Sequence, residues 1–567
     1  MATATPVAKP STPRVSVRPK LPLLGVAGFL AALAYLVVLP LIRLQTTAFE
    51  NGAQGYTTAF GAPGIGGVLV TTFALALGSF AIAMVLGTLL AWASTQLPPR
   101  FGWMRSLPVL PIVIPAVANV IGWAFLLSPR PGYLNALLRN LPWWNHLETG
   151  PIDVYTVPWI IIITGFSLAA FVYLFVSAGL KDINQEHVEA AQVCGSSRIG
   201  VFFKVVLPLL RPSLIYGGGV VLLLGLGQFT APLLLGTSQG IDVVTTEIYR
   251  YVSTSPTDFA AAAAMGSPLL IFGLIVVIGQ KIALGDQRRF VTHGGKGFRS
   301  SGQTSKLAAV AILLYATLST LLPIAALTVV ALSNFWTPEI NPGDFTLANV
   351  REVISAPDTR DAIITSVVAS GAGVVLVLII GFISASLLLR GQRFKLARTL
   401  LDFIVALPLG VPAVIFGVGF LLTYSYPPLI LYGSRWVIIL VYTALMLPFG
   451  TRMLLATMIA MGNGYLEASR VCGAGLLATN TKIVLPLLRT SMGASAALMF
   501  VLLTHEFSAS MLVRSPTTNV MGTVLFDYWT NGSYPTVAAI GLVMTVVTGI
   551  GVAVAMAFGG RDVFDKL

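Results

Sequence analysis

The sequence predicts an all-α polytopic membrane protein, with about 12 transmembrane helices in two parallel six-helix repeats. Two observations lead there. First, 56% of the 567 residues are hydrophobic and only 10% are charged. Apolar runs of 20 or more residues recur, each long enough to cross a hydrocarbon core of roughly 30 Å as a helix. Second, the stretch 188–213, VEAAQVCGSSRIGVFFKVVLPLLRPS, returns without a gap 278 positions later as 466–491, LEASRVCGAGLLATNTKIVLPLLRTS. Thirteen of the 26 aligned positions are identical. They include Glu189/Glu467, Cys194/Cys472, Gly195/Gly473, Lys204/Lys482, Pro208/Pro486 and Arg211/Arg489. Chance similarity between two apolar segments would repeat Leu, Val and Ala, whereas a Glu, Gly, Lys, Pro, Arg frame marks internal duplication.

The chain then divides in order. Residues 1–20, rich in Pro, Ser and Thr and carrying four basic residues without an acid, read as a disordered cytoplasmic tail. The first repeat, 21–284, holds spans at 21–42, 68–94, 105–127, 157–179, 209–236 and 262–284. The first of these runs beyond a signal-peptide core and is followed by no clear small-residue cleavage site. Residues 285–306, GDQRRFVTHGGKGFRSSGQTSK, are too polar and basic to span and form a cytoplasmic linker. The second repeat, 307–567, holds spans at 307–332, 363–389, 402–424, 435–457, 488–513 and 534–558. Six spans precede the linker, so both repeats share one orientation and relate by an axis along the membrane normal.

Charge sets that orientation. With the N-terminus inside, 26 of the 34 Lys and Arg fall on the cytoplasmic side, and 13 of the 21 acids fall outside or near the outer ends. The positive-inside rule therefore accounts for the net charge of +13, and no nucleic-acid partner is implied. Both termini are then cytoplasmic. Cys194 and Cys472, the two cysteines, occupy equivalent repeat positions and imply neither a disulfide nor a metal pair.

The duplicated stretches sit between the fourth and fifth spans of each half, facing the cytoplasm. Residues 180–194 alternate polar and apolar at helical spacing, Gly195 supplies a turn, and a second short helix runs from Ser197 to a stop at Pro208. Each stretch is thus a bent helix across the membrane surface. Glu189, Ala190, Ala191, Gly195 and Leu207-Pro208 resemble the EAA loop of permease subunits from bacterial binding-protein-dependent type I ABC importers. The second copy reads Glu467-Ala468-Ser469, Gly473 and Leu485-Pro486, departing at its third position. The resemblance implies a permease in the bacterial cytoplasmic membrane whose two loops, at 191–201 and 469–479, dock on a homodimer of ATP-binding subunits. It also implies a substrate-binding protein that delivers cargo from outside. Glu189 and Glu467 are expected to fix the loops by hydrogen bonds or ion pairs. The fused form most resembles ferric-iron importer permeases; thiamine, polyamine and phosphonate importers share the architecture.

No catalytic, metal or cofactor site is expected in this chain. It contains no G-x-x-x-x-G-K-[ST] loop, and its four histidines are scattered. ATP hydrolysis therefore belongs to a separate subunit. A major-facilitator transporter would carry an acid and a basic run between its second and third spans; here 95–104 reads TQLPPRFGWM. For the pathway between the halves, the candidates are Gln228 and Glu506, equivalent polar positions expected within the fifth and eleventh spans. A buried carboxylate there costs a few kcal/mol unless it faces protein or water. Glu506 reads equally as a gate or cargo contact and as a tether between helices. Phe229 and Phe507, one residue on, are candidate apolar plugs, and Pro111, Pro115, Pro408 and Pro412 are expected to kink the third spans.

Overall fold

The computed structural model describes residues 23–284, 305–390, 395–462 and 464–559. The expected tail, and the linker save its last two residues, lie outside them. The described chain is helical throughout, with Ser515 and Thr518 forming an isolated bridge. Among the described residues, nine helices are long and apolar enough to cross a membrane, and three further pairs bent at a short break raise that to 12 if each pair is one span.

Proline chemistry explains most departures from straight helices. Four π turns, Ala34–Val38, Phe202–Val206, Thr317–Leu321 and Asn480–Val484, are each followed directly by a Leu-Pro pair. The proline has no N–H and its ring crowds the carbonyl four residues back. Widening the preceding turn, so that the leucine N–H reaches five residues back, relieves that conflict within a continuing helix. Pro208 and Pro486 therefore do not end the short helices, as their sequence suggests; the chain winds on through both. The helix leaves the first loop through a 72° bend between Ile199–Leu209 and Arg211–Leu226. Its counterpart Leu477–Thr504 is one helix. Pro212 opens the second segment of the first, where the second repeat has Thr490.

The third spans do more than kink. Segments Arg100–Val113 and Ala116–Leu127 meet at 93°, and Lys395–Gly410 and Ala413–Tyr424 at 113°. The breaks fall at Ile114 and Val411, held extended (ψ 135° and 122°) by the following Pro115 and Pro412. Pro111 and Pro408 sit in first turns and break nothing.

The halves are joined by exchanged arms. The first span of each half packs on the second segment of the other half's third span, Leu39–Ala48 on Ala413–Tyr424 and Leu322–Leu332 on Ala116–Leu127. Glycine permits each crossing. A Cβ at Gly122 would stand 2.5 Å from the Pro323 carbonyl oxygen, and one at Gly419 would stand 2.7 Å from that of Pro40. Small residues that let helix backbones meet are how membrane helices associate where lipid removes the hydrophobic drive.

Candidate functional site

The two loops are built alike. In the first, the Asn184 side chain accepts from the Glu186 N–H (3.0 Å) and starts helix Gln185–Val193. That helix ends in a Schellman turn, with Gly195 N–H on the Gln192 carbonyl (2.9 Å) and Ser196 N–H on that of Ala191 (3.0 Å). Gly195 holds φ +84°, the left-handed conformation such an ending needs. The second loop repeats it: helix Gly464–Val471, Gly473 on Arg470 (2.9 Å), Ala474 on Ser469 (3.0 Å), and φ +81° at Gly473. Short helices Arg198–Val201 and Leu476–Thr479 follow. The departure at the third position of the second motif has a structural partner. Ser469 Oγ lies 2.8 Å from Thr479 Oγ1, both buried, at the places Ala191 and Val201 take in the first loop. One apolar pair has been exchanged for one hydrogen-bonded pair.

Each loop turns matched apolar residues outward around its glycine. Val193 and Val471 are 88% and 89% exposed, and Ile199 and Leu477 are 73% and 78% exposed. Ala190, Ala468, Pro208 and Pro486 are exposed as well, and Ala191 is half-buried. Glu189, on the surface, takes the Gln185 amide at 2.6 Å, so its bond lies within its own helix; Glu467 is also exposed. Cys194 and Cys472 are free thiols, both exposed, one on each loop.

The pathway candidates do not lie inside unbroken spans. Helix Arg211–Leu226 stops before Gly227, and helix Leu485–Thr504 stops before His505. Gln228, Phe229, Glu506 and Phe507 occupy the two breaks. Glu506 folds back on its own half: its carboxylate accepts the N–H groups of Ala509 (2.8 Å) and Ser510 (2.9 Å) and the Ser510 hydroxyl (2.8 Å). It thereby caps the short helix Ser508–Val513. Gln228 also bonds within its own half, its side-chain amide donating to Thr164 Oγ1 and its main-chain carbonyl accepting the Thr245 hydroxyl.

What meets across the halves is the next residue of each break. The Phe229 and Phe507 rings stack with centroids 5.5 Å apart, both almost fully buried. Tyr249 lies edge-on to Phe229 (5.8 Å), Phe526 tilts against Phe507 (6.1 Å), and Tyr249 and Phe526 meet edge to face at 6.3 Å. The four rings close a cycle contributed equally by both halves. Tyr249 and Phe526 escape an ungapped comparison because they lie 277 positions apart, not 278. A signal was present: each sits on a short helix, Val244–Ser253 or Met521–Thr530, whose third residue, Thr246 or Thr523, binds the preceding valine's N–H (2.9 and 3.1 Å). Arg514 braces the second of these helices through both oxygens of Asp527, at 2.8 and 2.9 Å. On the first, Glu247 is buried and pairs with Arg250. Burial pushes the Glu247 carboxyl above its usual range, Arg250 pulling the other way and Asp242 adding to the rise.

Among the described residues, no group of three or more His, Cys, Asp or Glu is placed to hold a metal ion.

The chain is similar to known transport proteins. Residues 67–288 match the family described as binding-protein-dependent transport system inner membrane component. The ferric transport system permease protein FbpB of Actinobacillus pleuropneumoniae is 26% identical over 488 residues, 82% of this chain and 67% of that protein. The putative ferric transport system permease protein FbpB 1 of Haemophilus influenzae is 27% identical over 80% of this chain and 71% of its own length. The spermidine/putrescine transport system permease protein PotB of Escherichia coli is 25% identical over 37% of this chain and 75% of its own length. The first half matches that family, relatives named as ferric transport permeases run across both halves, and the described residues hold up to 12 apolar spans, so this chain is similar over most of its length to the inner-membrane permeases of binding-protein-dependent transport systems.

Proposed function

We propose that the chain forms the translocation pathway of an ATP-driven importer and receives force at its two EAA loops. The observation that carries this reading is the matched pair of apolar knobs, Val193 and Ile199 beside Gly195, Val471 and Leu477 beside Gly473. Solvent-exposed apolar residues at that density, repeated in register 278 positions apart, suit a protein partner better than water. Two copies of an ATP-binding subunit would each take one knob in a groove, from the cytoplasm, where both termini also lie. ATP belongs to those subunits and is not bound by this chain. A substrate-binding protein would dock on the opposite face.

The four-ring cycle of Phe229, Tyr249, Phe507 and Phe526 is the pathway's closure in this reading. Closing of the ATPase dimer drives the loops together, parts the halves at these rings and admits cargo from the binding protein; hydrolysis restores the stack. Glu506 and Gln228 act as the braces that aim Phe507 and Phe229. Three hydrogen bonds to one short helix leave the Glu506 carboxylate little capacity to bind cargo. Ferric iron is the favoured cargo, supported by the two ferric-transport relatives that align along four-fifths of the chain. The polyamine permease aligns with about a third.

The test uses surface positions, so that folding is spared. Val193→Asp with Val471→Asp should leave insertion and thermal stability unchanged, prevent co-purification of the ATP-binding subunit and abolish uptake. Full uptake by the double variant would overturn the proposal.

A further inference from the structure

A groove of about 640 Å³ lies in the first half, between helices Ile65–Thr95, Arg211–Leu226 and Phe259–Leu284. That volume falls within the roughly 300–1,000 Å³ typical of small-molecule sites. Its walls are Phe80, Met84, Leu214, Leu222 and Val276, with Gly279 on one side and Arg211 among the lining residues. The surface around it is apolar: Leu224, Ile271, Ile275 and Ile278 are all exposed. An apolar trough opening on an apolar surface of a membrane-spanning bundle faces acyl chains, not water.

The groove arises from features of one repeat. Pro212 opens the helix beyond the 72° bend, and Gly218, Gly219 and Gly279 keep its sides low. At positions equivalent to Pro212, Gly218 and Gly219, 278 residues on, the second repeat carries Thr490, Ala496 and Ala497. Gln280 secures the bent region by donating its amide to the carbonyls of Ile215 (3.2 Å) and Tyr216 (3.3 Å), in space that a side chain at Gly219 would occupy. Arg211, at the loop end of this trough, is exposed and makes no hydrogen bond or ion pair with the described residues. Ala283 also lines the groove, and the sequence just beyond it carries Arg288 and Arg289.

We propose that this groove binds one anionic phospholipid of the cytoplasmic leaflet, its acyl chain along Met84, Leu222 and Val276 and its phosphate on Arg211. The leaflet assignment rests on the loops facing the cytoplasm, as under the proposed function; the lipid chemistry does not. Charge decides the occupant. A guanidinium at the end of an apolar trough fits a phosphate forked by two N–H groups, and the anionic surface of the inner leaflet attracts that cation. The connecting segment 285–304 is itself basic and would be repelled by Arg211. A lipid seated there wedges the bend that lies directly after the first coupling loop.

The experiment titrates the full-length, delipidated protein in detergent with phosphatidylglycerol or phosphatidylcholine and counts bound lipid by native mass spectrometry. Wild type should retain one phosphatidylglycerol in preference to phosphatidylcholine. Arg211→Gln should weaken phosphatidylglycerol retention about tenfold, the factor one charge-assisted hydrogen bond supplies. Gly279→Leu should abolish retention of both lipids at unchanged thermal stability, since a Cβ there meets nothing within 4 Å. Equal retention of the two lipids by wild type, or a preference that survives both substitutions, would overturn the inference. Loss of ATPase docking would remove the leaflet assignment and leave the lipid preference standing, so the two readings fail separately.

Discussion

The Phe229 and Phe507 rings stack across the boundary between the two halves, 5.5 Å apart, although each belongs to a helix break braced by a polar neighbour in its own half. The braces and the contact have separate jobs. If the stack holds the halves together, Phe229→Ala and Phe507→Ala should be non-additive. A double-mutant cycle on thermal stability should return a coupling of about 0.5–1.5 kcal/mol, the usual worth of an aromatic pair beyond its burial. Additive losses would mean that the rings are neighbours without being partners.

The crossed arms make a second expectation. Gly122→Leu or Gly419→Leu drives a side chain into the Pro323 or Pro40 backbone. Overpacking of this kind costs about 1–3 kcal/mol and more where backbone must shift. Each variant should lower the midpoint of thermal unfolding by several degrees, and leucine at the open Gly279 should not. A melting curve of the purified chain is the check.

The exchange of Ala191 and Val201 for Ser469 and Thr479 makes a third. Ser469→Ala strands a buried Thr479 hydroxyl, at a cost of about 1–3 kcal/mol. Adding Thr479→Val rebuilds the apolar pair of the first loop and should recover most of that loss. ATPase co-purification and thermal stability should fall and return together; a double variant as impaired as the single one would contradict the pairing.

Much of this was legible in the sequence. Apolar runs placed the spans, and the ungapped repeat located both loops and aligned Phe229 with Phe507. Local patterns could not show where helices break in three dimensions. Glu506 read as a carboxylate inside a span because hydropathy does not register that helix Leu485–Thr504 ends just before it. Pro208 and Pro486 read as stops because the preceding π turns, which accommodate them, have no composition of their own. Gly122 and Gly419 were lost among many glycines, since only the crossing of the arms singles them out. Tyr249 and Phe526 were hidden by a one-residue shift in register.

Glu247 supplies a pH dependence. It lies on helix Val244–Ser253, between two spans, and burial raises its carboxyl above the ordinary value. The folded protein then holds that proton more tightly than the unfolded chain. This group's contribution is therefore greatest in acid and falls as pH climbs from the usual carboxylate range through the raised value. Glu247→Gln should flatten that decline and raise thermal stability near neutral pH, with the gap to wild type closing in acid. Arg250, largely exposed, loses little when its partner goes. An equal gap at every pH would contradict the assignment.

The central claim is that the two loops are where the ATP-binding subunits press, and the unmodified chain carries its own reporters there. Cys194 and Cys472 are the only two cysteines of the sequence, and both are exposed, one immediately before each loop glycine. The most direct measurement is the rate of thiol alkylation of wild-type protein in nanodiscs, with and without the ATP-binding subunit, read by mass spectrometry at each site. Both thiols should react readily in the permease alone and both should be protected in the complex. Alkylation that proceeds equally fast at both sites once the ATPase is bound would contradict the account.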